Sequence, residues 1–271
     1  MKNKFNKYGC FLIIWILIGH NSILAIDEKD LDDINRPLKT SWGYNKNNGP
    51  DSWGTLDPEY SLCKNGRYQT PIDIPKQAYR NNSRLVFNYK ETVVRAIDNG
   101  HTIKFAVDPH DGAGVSFSSA NYELIQFHFH APSEHTVGGD RFPLEVHFVH
   151  KSKEGHILVV GAFIIEGKYS GSWSKLFDNI RQKNKTTPNK EQFGAEFALV
   201  NIDYLLPANR SFVFYQPGSL TTPPCSEGVL WFVLQEPITL NKSDIKAFTD
   251  LYPNNSRPIQ PINNRHMILI K

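Results

Sequence analysis

The sequence predicts a mainly β protein (α+β by class), one large twisted sheet with helices at its periphery. Between residues 85 and 234 apolar and polar residues alternate in short runs, the period of a strand whose successive side chains face opposite ways. Turn signals such as Asp98-Asn99-Gly100 and Asp111-Gly112 separate those runs. Helical spacing shows only at about 173–183 and 242–251, the latter with Ser243 placed to cap its start. No internal repeat or long low-complexity linker divides the chain, so residues 26–271 are expected to form a single domain.

In chain order, Lys2, Lys4 and Lys7 precede an apolar run from residue 10 to 19, a polar break at His20 and Asn21, and the small Ala25. That is the layout of a secretory signal peptide over residues 1–25, and the apolar run is too short to span a bilayer. The mature protein is therefore expected outside the cytoplasm, secreted or periplasmic, with no membrane span. Residues 26–40 read as a polar lead-in, and aromatics pin irregular segments at 42–44 and 49–54. Residues 68–74 read as a loop entering a strand. Strands are predicted at 85–89, 92–97, 102–107, 115–117, 124–130 and 144–150. The nearly continuous apolar run 156–165 reads as a central strand, and 211–216 and 229–234 complete the set.

Removing residues 1–25 takes three lysines from the 30 basic residues and none of the 27 acids, leaving 27 against 27. A balanced chain without a basic stripe excludes nucleic acid and anionic lipid as the expected partner and favours a small molecule. Cys10 leaves with the leader. The two remaining cysteines, Cys63 and Cys225, are expected to pair in an oxidising compartment. Five Asn-x-Ser/Thr sites occur, at Asn81, Asn184, Asn209, Asn241 and Asn254, as an Asn-rich chain produces by accident.

The chemistry concentrates in Gln126-Phe127-His128-Phe129-His130 and Glu145-Val146-His147. Strand alternation puts His128 and His130 on one face and Phe127 and Phe129 on the other. If 144–150 pairs beside it, three imidazoles converge. A single histidine in a strand is commonly an ordinary hydrogen-bonding residue, and His-x-His arises by chance in a chain with ten histidines. Glu134 and Glu145 nearby change that reading, because a carboxylate beside a liganding imidazole is its usual orienting partner. Three histidines with a fourth position left to water are the ligand set of a catalytic zinc. His135 and His150 read as structural, His150 because it faces away from His147.

With these residues in view, the chain resembles the alpha-class carbonic anhydrases from about residue 42 to 265. Gln126-Phe-His-Phe-His, Ser133-Glu-His, Glu145-Val-His and Gly218-Ser-Leu-Thr-Thr-Pro-Pro-Cys match family motifs in order. So do Asn99-Gly-His, Gln69-Thr-Pro-Ile-Asp-Ile and Asn264-Arg265. The resemblance implies a central, mostly antiparallel, ten-stranded sheet with zinc at the bottom of a conical cleft. It implies zinc-dependent reversible hydration of carbon dioxide to bicarbonate and a proton by zinc-bound hydroxide. Sulfonamide or anion inhibitors are expected with it, and a homodimer is left open.

Carried over by motif, His128, His130 and His147 hold Zn2+, with Gln126 behind His128 and Glu145 behind His147. Thr221 accepts a hydrogen bond from the hydroxide and passes its own proton to Glu134. His101 shuttles the proton to solvent, with Tyr44 beside the water chain, since histidine titrates near neutrality. Val149, Val159, Leu220, Thr221, Thr222, Val229 and Trp231 line the substrate pocket. Ala131-Pro132 stands where animal members have Trp-Gly and the loop after it is short, more like bacterial members. Lys104 replaces a common Asn or Gln. Two other readings compete with this one. A binding module that has lost catalysis would lack a ligand histidine, and all three are retained. A cupin-type iron or manganese site wants glycine where Tyr122 stands.

Overall fold

The β-branched and aromatic runs do become strands. The computed structural model describes residues 42–76, 79–81, 84–107, 112–168, 173, 176–178, 180–181 and 197–270. Its strands are β1 (Asp73–Ile74), β2 (Tyr79–Asn81), β3 (Val86–Asn88), β4 (Glu91–Asp98), β5 (Ile103–Val107), β6 (Gly114–Phe117) and β7 (Ala120–His130). There follow β8 (Thr136–Val137), β9 (Leu144–Ser152), β10 (Ile157–Glu166), β11 (Phe197–Asn201), β12 (Phe212–Ser219), β13 (Glu227–Leu240) and β14 (Met267–Ile270). Residues Thr40–Lys271 make one compact unit. The predicted leader, the lead-in 26–40 and Asn184 lie outside the described residues, as does the side chain of Asn81. Among the described residues no helix is long and apolar enough to cross a membrane.

Among the described residues the main sheet has twelve strands, ten of them on one path in the order β11-β4-β5-β7-β9-β10-β13-β12-β14-β2, with β6 paired to β7 and β3 to β6. The expected ten-stranded sheet is thus extended by a short pair, and it is mixed, because β10 runs parallel to β13 and β14 to β2. A parallel pair cannot be closed by a hairpin, and here residues 167–226 intervene between β10 and β13. β11 and β14 carry no strict alternation, so periodicity does not reveal them. The helix expected at 242–251 spans Lys242–Thr249, and its N-cap is Asn241 rather than Ser243. Asn241 has the extended backbone a cap needs, which leaves Ser243 in the first turn. Of the helix expected at 173–183, residues 176–178 and 180–181 are described and helical.

The two faces of β7 and β9 serve different ends. Phe127, Phe129, Val146 and Phe148 point into the larger core, beneath Trp173, Leu176, Phe177, Ile180 and Phe248. Phe129 alone has the rings of Trp173, Phe177 and Phe248 within 5.5–5.6 Å. Burying such a side chain contributes about 1.5–3 kcal/mol, so this face anchors the strands that carry the histidines. β7 is not regular throughout. Leu124 pairs with His150 and Gln126 with Val149, which leaves Ile125 as an extra residue. That bulge switches faces, so Leu124 sits in the core while Gln126, His128 and His130 face the opposite way.

His150 faces away from His147, as predicted. Its Nδ1 meets the Leu158 carbonyl at 3.1 Å and its Nε2 the Tyr89 hydroxyl at 2.6 Å. Burial lowers its pKa to about 3, against about 6.5 for an exposed histidine. Between those values the unfolded chain binds the proton and the folded one does not, so stability falls as pH drops from about 6.5 towards 3. We expect His150 alone to remove about 2 kcal/mol between pH 7 and pH 5. His150→Gln should flatten the pH dependence of urea unfolding by that amount; an unchanged pH slope would assign the acid lability elsewhere.

Candidate metal centre

Pairing β7 against β9 sets His128 directly opposite His147 and His130 opposite Glu145. One donor nitrogen from each of His128, His130 and His147 lies within 4.8 Å of the others. The second nitrogen of each ring is already engaged. His128 Nδ1 donates to Gln126 Oε1 at 2.8 Å, His130 Nδ1 to the Asn255 carbonyl at 2.8 Å, and His147 Nε2 to Glu145 Oε1 at 2.9 Å. Those bonds fix the tautomers and leave a lone pair on His128 Nε2, His130 Nε2 and His147 Nδ1. Burial lowers the pKa of His128 well below its ordinary value, aided by the neighbouring imidazoles and Lys104, its cross-strand partner. Burial likewise lowers His130. Neutral, oriented imidazoles are what a metal requires.

Glu145 is saturated with donors. Its Oε2 accepts from the backbone N–H of Glu134 and His135 at 2.9 and 2.8 Å. Its Oε1 accepts from His147 and from His135 Nδ1, the latter at 2.7 Å. Burial pushes this carboxyl up, but the His135 and His147 imidazoles more than reverse that and hold it well below the usual range. His135 is structural, as predicted, and its other nitrogen meets the Tyr215 hydroxyl at 2.7 Å. Gly161, opposite His147 on β10, leaves room for this group. A Cβ there would lie 3.1 Å from Glu145 Oε1.

Glu134 differs from expectation. Its Oε1 accepts from the Arg257 backbone N–H at 2.8 Å. Its Oε2 is buried with no hydrogen-bond partner among the described residues, so the predicted bond from Thr221 is not formed here. That oxygen instead faces His130 Nε2 at 3.4 Å and His147 Nδ1 at 3.8 Å. His130 Nε2 is the other orphaned atom in this place. Buried polar atoms without partners are uncommon, and a cation held by the three lone pairs would satisfy the nitrogen. The residues fit a divalent metal of the zinc type.

Val149, Val159, Val229 and Trp231 are buried together in a second apolar cluster, with Leu220 packed against it. The Trp231 ring meets His147 edge-on at 4.9 Å, so the predicted wall does adjoin the triad. Thr221 is buried and Thr222 half-buried in the turn after β12, which is tied to Cys63 by the Cys63–Cys225 disulfide. His101 stacks on Trp42 with ring centres 3.7 Å apart and planes at 8°. Tyr44 packs edge-on to Trp42 and Trp53. Burial, with Glu134 adding and Arg257 opposing, raises the Tyr44 phenol well above its usual pKa. Tyr44 therefore stays protonated and can orient water but not carry the proton as a base.

Two residues escaped the sequence reading, Asn255 and Arg257. Arg257 is fully buried, donating to Gln69 Oε1, Thr70 O and Cys63 O at 2.8–2.9 Å beneath the Trp53 ring. They lie in an irregular segment between Pro253 and Pro258, where no periodicity marks an inward-facing residue.

Fold and triad define a candidate metal centre of three histidines seated on a mixed β-sheet. The model of the eukaryotic-type carbonic anhydrase family matches residues 48–270. A carbonic anhydrase of Nostoc sp. is 39% identical over 240 residues, covering 86% of this chain and 87% of that protein. The alpha-carbonic anhydrase of Thermovibrio ammonificans, solved with sulfanilamide, superposes with a TM-score of 0.72 at 38% identity, covering 84% of this chain and 99% of that one. Dioscorin complexed with ascorbate superposes with a TM-score of 0.75 at 29% identity, covering 84% and 97%. The chain belongs to the eukaryotic-type, or alpha-class, carbonic anhydrase family and is an enzyme of that class.

Proposed function

We propose that this protein catalyses the zinc-dependent, reversible hydration of carbon dioxide to bicarbonate and a proton, as a secreted or periplasmic enzyme whose catalytic domain is residues 26–271. The observation that carries the reading is the buried convergence of three imidazole lone pairs, each ring held by its opposite nitrogen. The fold alone does not decide it, since dioscorin shares it and was solved with ascorbate. When bound there, zinc supplies a Lewis acid that makes water a nucleophile at neutral pH, a role for which carbonic anhydrase is itself the usual example.

The chain's own residues do the rest. Val149, Val159, Leu220, Val229 and Trp231 offer an apolar wall to a neutral, apolar substrate beside the triad. Thr221 orients the attacking oxygen. Its hydroxyl would donate a hydrogen bond to Glu134 Oε2, an acceptor that has no donor among the described residues, and the threonine oxygen would then offer only lone pairs to the attacking oxygen. Thr222 follows Thr221 in the turn after β12. His101 takes the released proton towards solvent and Tyr44 orders the water between. A sulfonamide such as the one in the Thermovibrio structure is expected to compete at this place. The disulfide supports an oxidising compartment.

Stopped-flow carbon dioxide hydration tests the assignment. Rate acceleration should vanish with a strong zinc chelator and return with one equivalent of zinc. A fully metallated protein that gives no acceleration overturns it.

A further inference from the structure

Asn255 is 1% exposed and ties three parts of the site together. Its carbonyl accepts from His130 Nδ1 at 2.8 Å, and its backbone N–H donates to the Ala131 carbonyl at 3.0 Å. Its side-chain Oδ1 accepts from the Ala131 N–H at 2.7 Å. Its Nδ2 donates to the carbonyls of Phe129 at 3.0 Å and His101 at 2.9 Å. The amide therefore bridges the strand that carries two of the ligands and the turn that carries His101.

The turn is restrained from the other side as well. Asn99 Oδ1 accepts from the N–H of His101 at 3.0 Å and of Thr102 at 2.9 Å. Thr102 Oγ1 donates to the same Phe129 carbonyl at 2.6 Å. Phe129 lies between His128 and His130, so two donors dock the His101 turn onto one carbonyl in the middle of the ligand pair. With its N–H and carbonyl both bonded, His101 keeps only side-chain rotation, and the Trp42 ring limits that.

We infer that Asn255 is a positioning residue for proton transfer: through Nδ2 it sets the distance from His101 to the metal centre, a task separate from its backbone support of His130. The inference rests on the reading of His101 as the proton carrier. Proton transfer between positioned groups is steep in distance, and a 1 Å misplacement can cost about 10²-fold.

Asn255→Asp removes the donor half of the amide while keeping the acceptor for Ala131 and both backbone bonds. On the high-pH plateau in weak buffer, kcat should fall roughly 10-fold. The ratio kcat/KM for carbon dioxide should stay within about twofold, and added imidazole should restore kcat. In the metal-free protein, amide exchange of His101 and Thr102 should accelerate, and zinc affinity should stay close to that of the wild type. A parallel fall of kcat, kcat/KM and zinc affinity would mean that Asn255 serves His130 alone, and overturns the inference; so does an unchanged kcat. Should Asn255→Asp not fold, Thr102→Val, which loosens the same docking of the His101 turn onto the Phe129 carbonyl, decides by the same measurements. His101→Ala separates the two layers. If it leaves kcat intact the proton-carrier reading itself falls, whereas slow turnover in His101→Ala with normal kcat in Asn255→Asp removes only the role of Asn255.

Discussion

Truncating His130 to alanine is expected to reduce carbon dioxide hydration to the uncatalysed rate and to weaken zinc binding by on the order of 10³-fold. Replacing a group that merely orients a ligand costs about 10–100-fold in metal affinity, and removing the ligand nitrogen should cost more. His130 is the most telling of the three because both of its nitrogens are committed to the site. Nδ1 holds the Asn255 carbonyl, and Nε2, buried beside Glu134, has no hydrogen-bond partner among the described residues. Gln126→Ala supplies the calibration, since the Gln126 side chain bonds His128 through Nδ1, not through the nitrogen turned to the triad, and should stay in the 10–100-fold range. His150→Gln supplies the negative control, because that ring lies on the opposite face and should leave zinc in place. Competition against a chromogenic chelator and stopped-flow hydration read both quantities. A His130→Ala protein with undiminished zinc affinity and rate would remove the triad as the metal centre.

The sequence made this much legible because strand periodicity is local. His128 and His130 share a face by alternation alone, and Glu145 stands two residues before His147 for the same reason. Alternation also sets Phe127 and Phe129 on the face opposite the histidines, and that face is the one buried in the larger core. It did not show the bulge at Ile125, since an extra residue changes the face only when a partner strand is present to be skipped. Nor could it show Asn255 and Arg257, more than 120 residues from the groups they bind and in a stretch without period. The motif around Thr221 suggested a bond to Glu134, and the structure leaves that oxygen turned to the imidazoles instead. Short-range pattern thus located the metal ligands, while the long-range bonds that brace them became visible only in three dimensions.

Opening the Cys63–Cys225 disulfide is expected to cost a great deal of stability and little activity. The bond joins residues 162 apart in sequence. Releasing a loop of that length frees denatured-state entropy worth on the order of 5 kcal/mol in the chain-entropy model. For a domain of this size, that corresponds to a Tm lower by about 10–20 °C. Cys225 also sits at φ 58°, in the left-handed region, which costs a non-glycine residue about 1–2 kcal/mol and must be held from outside. Yet the disulfide is not the only hold. Gln69 Nε2 donates to the Cys225 carbonyl at 3.1 Å and Arg257 to the Cys63 carbonyl at 2.9 Å, while the Cys225 N–H closes the turn onto Thr222 O at 2.9 Å. Those bonds should keep Thr221 and Thr222 in place wherever the reduced protein remains folded. The double variant Cys63→Ser/Cys225→Ser should therefore melt well below the wild type yet hydrate carbon dioxide within a few-fold of its rate at 10 °C. An unshifted Tm would show that the unfolded chain gains nothing from release. A collapsed rate in a protein still folded at 10 °C would show instead that the covalent bond, not Gln69 and Arg257, positions the threonine turn.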